Sequence, residues 1–300
     1  MNKGLTLTVV FKAQSLNYGE GTGNISELKK LSRENGQLYT FVSRQALRYD
    51  IVRLGSLYFG WQLSPVDSSR GTIQFDPNAT IRDYPELDLF GYMKTEEGKG
   101  SLTRSAVVRI TSAISLEPYL KDVEFLSNKG LADRISANPN IAQIEQHLSY
   151  YSYSLTIDLD KVGIDDDIKL PKAERAKRIK DLLEIVKILN REIRGRTENL
   201  NPLFVIGGIY DVKNPFFHGR IKLEWRKNGV CIAISPIKDT LNITYNGKKV
   251  GDDTVIGYIS GEWANEEEIK SLPVKKVSDI ETIFTDLSKE IEGYYECVAD

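Results

Sequence analysis

Cysteine and histidine are scarce in this chain of 300 residues, which holds two of each. Cys231 and Cys297 cannot build the disulfide framework of a small secreted protein. Together with His147 and His218 they also supply too few of the usual ligands to favour a zinc site. The sequence therefore predicts no metal and no cofactor, so any function has to come from other side chains.

Long apolar runs are absent as well. No stretch approaches the roughly 18 apolar residues that a membrane-spanning helix needs. The opening MNKGLTLTVVFK has neither the apolar segment nor the small-residue cleavage site of a secretory signal. We therefore expect a soluble, cytoplasmic protein with no membrane partner.

Net charge is small, because 40 Lys and Arg face 42 Asp and Glu, a balance of −2. This argues at first against a nucleic-acid partner. Residues 252–300, however, hold 13 acids and 4 bases, which leaves 36 bases against 29 acids in the rest of the chain. The basic excess is concentrated in residues 1–62 and 172–196. A solvated surface explains such counts as well as a polyanion site does, so charge alone leaves both open.

Hydrophobic periodicity predicts an α+β fold. The alternation of Leu5, Leu7, Val9 and Phe11 predicts a strand with one buried face. Ser43 is a good N-cap for a helix that carries Leu47, Ile51 and Leu54 on one side and ends at Gly55. Further strands are predicted at 106–116, 153–160 and 203–210, and a long helix after Pro171 has the apolar stripe Ile179, Leu182, Leu183, Val186, Leu189 and Ile193. This βαββαβ order is that of a ferredoxin-like, or RRM-like, domain.

Two irregular stretches interrupt this order and suggest insertions. Residues 59–104 are rich in Gly and Pro, and residues 118–150 contain the turn sequences NKG and ANPN. Beyond 210, added strands are predicted from VCIAISP and from the segment around the Asn246-Gly247 turn. A last helix is predicted from Ser278, with Glu281 completing a capping box and Ile280, Ile283, Phe284, Leu287 and Ile291 along one side.

The start of the first helix carries an unusual charge. A helix N-terminus favours acidic residues, yet Arg44 stands there and Arg48 follows one turn later. Ser43, free backbone N–H groups and two arginines would make a phosphate cradle, with Gln45 directed towards the loop side. The alternative is that Arg48 pairs with Asp50 or a neighbouring acid.

Several segments of the chain resemble one known family. They are VVFKAQSLNYGEG, VSRQALRYDI, DLFGYM, RSAVVRITSAIS and SYSLTIDLDKVG, which occur in this order between about residues 5 and 210. Together they resemble the DevR family, the backbone subunit of type I-B CRISPR Cascade complexes. The resemblance implies a ferredoxin-like palm (1–58, 105–117 and 151–235), a fingers insertion (59–104), a thumb insertion (118–150) and a C-terminal part of strands and an acidic helix (236–300).

The resemblance also implies the partners. Several copies would stack as a helical filament along one CRISPR RNA, with other Cascade subunits, and present the guide to target DNA. Ser43, Arg44, Gln45 and Arg48 would hold RNA phosphates. The acidic C-terminal segment would help one copy contact the basic body of the next, or would only keep the particle soluble; the sequence leaves both open.

Further RNA-binding candidates depend on weaker patterns. Lys12, Gln14 and Asn17 lie at the end of the first strand. They could approach the RNA backbone, and a solvated strand end explains them equally well. Phe90 and Tyr92 flank Gly91, where core packing is commoner than stacking on a base. Arg104 and Arg109 lie on or beside a strand and are reasonable phosphate ligands. Arg134, Asn138 and His147 are the thumb candidates. For His147 we expect a surface histidine and not a residue that contacts a base.

No catalytic residue is predicted. Backbone subunits of the related type III complexes cut RNA with an Asp in the loop after the first strand, whereas residues 17–36 here contain Glu20, Glu27 and Glu34 but no Asp. A non-catalytic scaffold is therefore the leading hypothesis. A metal-dependent RNA endonuclease remains the alternative, because a Glu can bind the same metal. A small-molecule enzyme has no paired acid and base to support it.

Overall fold

The structure is a computed structural model, and it describes residues 3–33, 36–68, 71–96 and 100–297. The first part of the chain forms β1 (Gly4–Gln14), β2 (Ile25–Ser26), β3 (Lys30–Ser32), β4 (Leu38–Val42), α1 (Arg44–Tyr58), β5 (Val66–Asp67), β6 (Gln74–Phe75), α2 (Pro85–Phe90), β7 (Tyr92–Glu96), β8 (Gly100–Arg104), β9 (Val108–Ile110), β10 (Ala113–Ser115), β11 (Asp122–Ser127), α3 (Lys129–Ala132) and β12 (Ile141–Gln146).

The second part begins with the longest partner of β1. It forms β13 (Leu148–Asp158), β14 (Ile164–Asp165), β15 (Ile168–Lys169), α4 (Lys172–Lys187), β16 (Asn190–Ile193), β17 (Arg196–Asn199), β18 (Phe204–Tyr210), β19 (Leu223–Arg226), β20 (Gly229–Ile232), α5 (Ile234–Leu241), β21 (Thr244–Tyr245), β22 (Lys248–Lys249), β23 (Val255–Tyr258), α6 (Glu266–Lys270), β24 (Lys276–Asp279) and α7 (Ile280–Cys297). Among all the residues that the structure describes, no helix is long and apolar enough to cross a membrane.

Strand β1 lies at the centre of the main sheet. It pairs antiparallel with β13 on one side and with β18 on the other. The sheet continues from β13 through β10, β4 and β3, with β9 also paired to β13, and from β18 through β23 and β24. The pairs of this sheet are antiparallel apart from β23 with β24, and the chain also forms helices, so the predicted α+β class is confirmed.

One face of this sheet is covered by helices. Leu5, Leu7, Val9 and Phe11 of β1 are buried in one cluster with Leu47 of α1 and with the apolar sides of α4 and α7. This burial is the main favourable contribution to folding, because it removes apolar surface from water. The predicted strand with its apolar face at Leu5, Leu7, Val9 and Phe11 and the stripe of the last helix are therefore confirmed.

The other face of β1 is buried too, which the sequence did not predict. Thr6 and Thr8 are almost fully buried, and the Oγ1 of Thr8 lies 2.7 Å from the Oγ of Ser154. A second apolar cluster covers much of this side; most of its members lie between Phe204 and Leu272, and Val10 and Tyr150 contribute to it from the sheet. The prediction of a strand with one buried face was wrong, because strands and helices after β18 fold back over the sheet.

Helix α1 does not end at Gly55 as predicted. It continues to Tyr58, and Gly55 is needed for another reason: a Cβ at this position would lie 2.4 Å from the Trp61 ring. The glycine therefore lets the indole pack directly on the helix backbone, and it does not terminate the helix.

The ends of two other helices also differ from prediction. Helix α4 ends at Lys187, so Leu189 and Ile193 of the predicted stripe lie beyond it, Ile193 in β16. Helix α7 starts at Ile280, and Asp279 caps it by accepting a hydrogen bond of 2.8 Å from the backbone N–H of Thr282. The predicted cap at Ser278 was wrong by one residue.

The predicted insertions contain regular elements. Residues 59–104 include the paired strands β5–β6 and β7–β8 and the helix α2, and residues 118–150 include the hairpin of β11 and β12. After β20 the segment predicted as a strand turns into α5. Asn246 and Gly247 both have positive φ, 49° and 77°, and join β21 to β22, so the hairpin turn is confirmed.

The acidic C-terminal helix pairs with bases of its own chain. Lys187 lies 2.8 Å from Glu281, and Lys276 lies 2.6 Å from Asp286. Lys180 with Glu292 and Lys275 with Glu290 form two further ion pairs. The pairs of Lys180 and Lys187 join the basic body to the acidic C-terminus, whereas those of Lys275 and Lys276 lie within residues 252–300.

Candidate nucleic-acid interface

Ser43 caps α1 as predicted. Its backbone is extended, and its Oγ accepts a hydrogen bond of 3.3 Å from the N–H of Ala46. The side-chain amide of Asn17 donates a second hydrogen bond of 3.3 Å to the same Oγ. Asn17, a predicted RNA ligand, is thus buried beneath the helix start and supports the cap.

A groove of about 330 Å³ opens beside this helix start. Its lining consists of Arg44, Gln45, Arg48, Phe90, Ala106, Val108, Arg109 and Ile110. Five of these, the three arginines with Gln45 and Phe90, are candidates that the sequence placed in three separate segments. The fold brings them together, because α1, α2 and β9 meet at this edge of the sheet.

The three arginines of the groove have different partners. Arg44 is exposed and forms no ion pair with the described residues. Arg48 donates to Glu86 at 3.0 Å, and its guanidinium lies 5.1 Å from the centre of the Phe90 ring. Arg109 is half exposed and paired with Asp158. The groove therefore combines one unpaired cation with two that already have a carboxylate.

The alternative for Arg48, pairing with a neighbouring acid, is realised with Glu86, which is distant in sequence. Asp50, the nearer acid, is buried and binds Arg191 at 2.6 Å and Arg53 at 3.5 Å. Burial raises the pKa of the Asp50 carboxyl, and the two arginines oppose this shift.

Phe90 and Tyr92 point into different environments. Gly91 between them has a φ of 71°, and a Cβ there would lie 2.3 Å from the carbonyl oxygen of Arg104. Tyr92 is not part of the groove lining, and its hydroxyl donates a hydrogen bond of 2.8 Å to Asp165. Burial and this carboxylate raise the pKa of Tyr92 to about 12, so its hydroxyl stays protonated. It packs with a small apolar cluster of residues 75–92.

Arg104 belongs to a buried network and lies outside the lining of the groove. Its Nη2 lies 2.7 Å from Asp88, which is fully buried and also accepts from Arg178 at 2.9 Å and from the N–H of Gly163. Sequence analysis missed Asp88 and Arg178, and no local pattern marks them, because the members of the network are up to 90 residues apart.

Lys12 and Gln14 lie in a separate cleft of about 400 Å³, which they share with Glu198 and Glu262. The ammonium of Lys12 lies 5.0 Å from the centre of the Tyr150 ring, and Gln14 donates to Gln146 at 3.0 Å. The fold does not bring these two residues to the groove of Arg44.

The three thumb candidates are also divided. Arg134 and Asn138 are exposed between β11 and β12. His147 is buried, so the expectation of a surface histidine was wrong. Its Nδ1 lies 2.8 Å from the Thr40 hydroxyl, and Tyr119 and Tyr151 pack edge-on to its ring. Burial lowers the pKa of the imidazole, which favours its neutral form.

The acids considered for metal binding lie in the loop after β1. Glu27 accepts a hydrogen bond of 3.2 Å from Thr22, Glu20 is exposed, and Glu34 lies outside the described residues. Among the residues that the structure does describe, no group of three or more His, Cys, Asp or Glu side chains is arranged to hold a metal ion.

Comparison with known proteins gives a consistent result. The family described as CRISPR-associated negative auto-regulator DevR/Csa2 matches residues 5–224. A relative from Myxococcus xanthus (strain DK1622), named CRISPR-associated protein Cas7/Cst2/DevR, is 30% identical over 158 residues, which are 47% of this chain. The match spans 52% of that protein, so the chain covers about half the length of this curated relative.

Two solved structures share the fold over nearly their whole length. One, titled CRISPR RNA-guided surveillance complex, pre-nicking, has a TM-score of 0.59 at 11% identity and covers 95% of this chain and 100% of its own. The other, titled CRISPR RNA-guided surveillance complex, has a TM-score of 0.51 at 14% identity and covers 94% and 99%. At these identities the likeness concerns the fold.

Proposed function

Since this chain belongs to the DevR/Csa2 family of CRISPR-associated proteins, we propose that it is a non-catalytic backbone subunit of a type I-B Cascade complex. In this proposal it holds CRISPR RNA by its sugar-phosphate backbone, and base pairing by the guide supplies the sequence specificity. The observation that carries the proposal is the groove beside α1, where three arginines and a helix N-terminus face one cavity.

We propose a ferredoxin-like palm as the core of this subunit. Its support is the strand order β18-β1-β13-β10, in which α1 follows β1 and α4 follows β13. This is the arrangement expected for a βαββαβ unit. The fingers (59–104) and thumb (118–150) would then be the excursions that leave this unit before β10 and after it, with residues 236–300 as an added C-terminal part.

The proposed RNA contacts fall into a central set and an outer set. Arg44, Gln45, Arg48 and Arg109 line the groove, and the capped end of α1 adds free N–H groups, so phosphate oxygens would meet charge and hydrogen-bond donors together. Phe90 lies beneath Arg48 and is nearly buried, which favours support of the guanidinium over stacking on a base. Lys12, Gln14, Arg134 and Asn138 form the outer set.

The same proposal includes the partners of the complex. Copies of the chain would stack along the RNA as an open helical filament, next to other Cascade subunits, and the guide would pair with target DNA. Since the acids of α7 already pair with lysines of their own chain, the contact between copies would depend on other surfaces.

A double substitution tests the groove. Arg44→Ala with Arg48→Ala should weaken binding of an oligouridylate of about 10 nucleotides by roughly ten- to a hundredfold near 0.1 M salt. Fluorescence anisotropy should also show a salt dependence shallower by about 1.4 in log K per log salt, because two phosphate contacts are lost. Oligouridylate and oligoadenylate should lose affinity equally, because the contacts involve the backbone.

The matched control removes the same charge elsewhere. Lys177→Ala with Lys180→Ala takes two cations from α4, where both are paired with acids, and should leave affinity nearly unchanged. Equal affinity of the groove variant and the wild-type chain would contradict the proposal. Regular cleavage of a complementary RNA by the assembled complex with Mg²⁺ would contradict the non-catalytic part of it and favour the nuclease.

A further inference from the structure

Glu86 is an acid that binds a lining residue of a groove proposed to hold phosphate. It occupies the first turn of α2, and its Oε1 accepts a hydrogen bond of 3.0 Å from the Nη2 of Arg48. Only about a sixth of its side chain is exposed, against about a third of that of Arg48. The same guanidinium lies 5.1 Å from the centre of the Phe90 ring.

The pair changes the charge that a ligand meets. Arg109 is paired with Asp158 and Arg48 with Glu86, so among the described residues Arg44 is the arginine of the groove that forms no ion pair. A phosphate that takes a place on Arg48 has to compete with a carboxylate already there. Because the pair is partly shielded from water, this competition is stronger than between two fully exposed charges.

Glu86 also has fewer hydrogen-bond donors around it than the buried Asp88 has. In the described part of the chain, Glu86 accepts from Arg48 alone and through one nitrogen, which leaves further guanidinium N–H groups of Arg48 without a protein acceptor. Asp88, two residues along the same helix, is fully buried and accepts from two arginines and a backbone N–H. Because Glu86 keeps some access to water and Asp88 has none, Glu86 can yield Arg48 to another anion at a lower cost than Asp88 could yield its partners.

We propose that Glu86 is a specificity-determining residue that holds down the phosphate affinity of the groove by occupying Arg48. A single phosphate ion then gains too little to stay bound, whereas a nucleic-acid backbone, which makes several contacts at once, offsets the exchange. This inference rests on the proposed function, because it assumes that the groove binds a phosphate backbone.

Glu86→Gln tests the proposal directly. Glutamine has the same shape and keeps an oxygen for Arg48, but it removes the charge. Affinity for the oligouridylate of about 10 nucleotides should rise about three- to tenfold at low salt, because phosphate no longer has to displace a carboxylate from Arg48. The number of phosphate contacts is the same in both proteins, so the salt dependence should change by less than the roughly 0.7 in log K per log salt expected for one contact. Inorganic phosphate should compete at correspondingly lower concentration. Glu86→Ala should give the same gain in affinity, which covers the case in which Gln disturbs the helix.

Glu184→Gln is the control for net charge. Glu184 pairs with Lys187 on α4, outside the groove lining, so its loss changes the total charge equally but should leave affinity within about twofold of that of the wild-type chain. Weaker binding by Glu86→Gln would mean that Glu86 positions Arg48 for RNA, and an unchanged affinity would mean that it has no effect on the ligand; either result overturns the proposal. If Arg44→Ala with Arg48→Ala also leaves binding unchanged, the proposed function fails as well, so the two failures are distinguishable.

Discussion

Two acids of α2 use the same chemistry in opposite ways. The outer one, Glu86, binds Arg48 through one hydrogen bond beside an open groove. The inner one, Asp88, is fully buried between Arg104 and Arg178. Both are carboxylates paired with arginine, and only two residues separate them.

The difference shows that solvent access decides what such a pair contributes. A buried charge has to keep all its partners, because water cannot replace one that is lost. A pair at a groove can exchange a partner, because another anion or water takes the vacant place at small cost. We therefore expect the inner pair to affect stability and the outer pair to affect binding.

Asp88→Asn should have the largest effect on stability. It leaves two buried arginines without their shared carboxylate, so the free energy of unfolding should fall by about 3–5 kcal/mol. Urea unfolding followed by circular dichroism measures this loss. Glu86→Gln is the matched control and should stay within about 1 kcal/mol of the wild-type chain. Comparable losses in both variants would remove the contrast between the two acids of α2.

Gly91→Ala should have the next largest effect on stability. Gly91 separates Phe90, which lines the groove, from Tyr92, which packs elsewhere. Alanine would adopt a strained φ of 71° and place its Cβ 2.3 Å from a backbone oxygen, so we expect a loss of about 2–4 kcal/mol. Gly60 also has a positive φ but no atom near its Cβ position, and Gly60→Ala should cost about 1–2 kcal/mol. Equal losses would show that the close approach to Arg104 has no energetic weight.

Substitutions of Ser43 separate stability from binding within the groove. Ser43→Ala removes the cap of α1 and should cost about 1 kcal/mol. Ser43→Asp keeps a side-chain acceptor for the Ala46 N–H and suits the helix dipole, so stability should be retained. The new negative charge should nevertheless weaken oligouridylate binding several-fold. If Ser43→Asp binds as tightly as the wild-type chain, the helix start does not contact phosphate.

Substitution of His147 should have the smallest effect on the free energy of unfolding. It tests a buried titratable side chain that forms no ion pair with the described residues. Since burial lowers the pKa of its imidazole below the ordinary value of 6.5, the unfolded chain binds this proton more readily than the folded one. Stability should therefore be constant above about pH 7 and should decline as the pH falls below about 6.5. In His147→Gln this decline should be shallower in urea unfolding.

His218 provides the comparison for that measurement. Burial of the imidazole lowers the pKa of His218 too, although the residue as a whole is exposed. We expect His218→Gln to change the decline less than His147→Gln does. A larger change in His218→Gln would mean that exposure to solvent is a poor guide to the linkage of these two groups.

Local patterns predicted much of the fold. Four predictions depend on neighbours within a few residues and are confirmed: the apolar face of β1, the cap at Ser43, the turn at Asn246-Gly247 and the apolar stripe of α7. The end of α1 was missed, because Gly55 serves the contact with Trp61 and the local preference of glycine for helix ends was overridden.

The candidate site was predicted in part. Arg44 and Arg48 stood out because cations at a helix start are unfavourable without an anion, and the structure places them in one groove with Gln45, Phe90 and Arg109. Tyr92 and Arg104 resembled the other candidates in type and position, yet they point into buried contacts. Side-chain direction near Gly91 depends on one positive φ, which sequence does not give.

The sequence by itself determined the α+β class, the position of the main helices and strands, and the family of the chain, because these follow from periodicity and from ordered local motifs. Tertiary structure decided which charges are available. Asp88 with Arg178 and Glu86 with Arg48 are pairs between residues 90 and 38 positions apart, and only folding sets their distance and their access to water. Those two quantities determine whether an arginine holds the protein together or remains able to bind a partner.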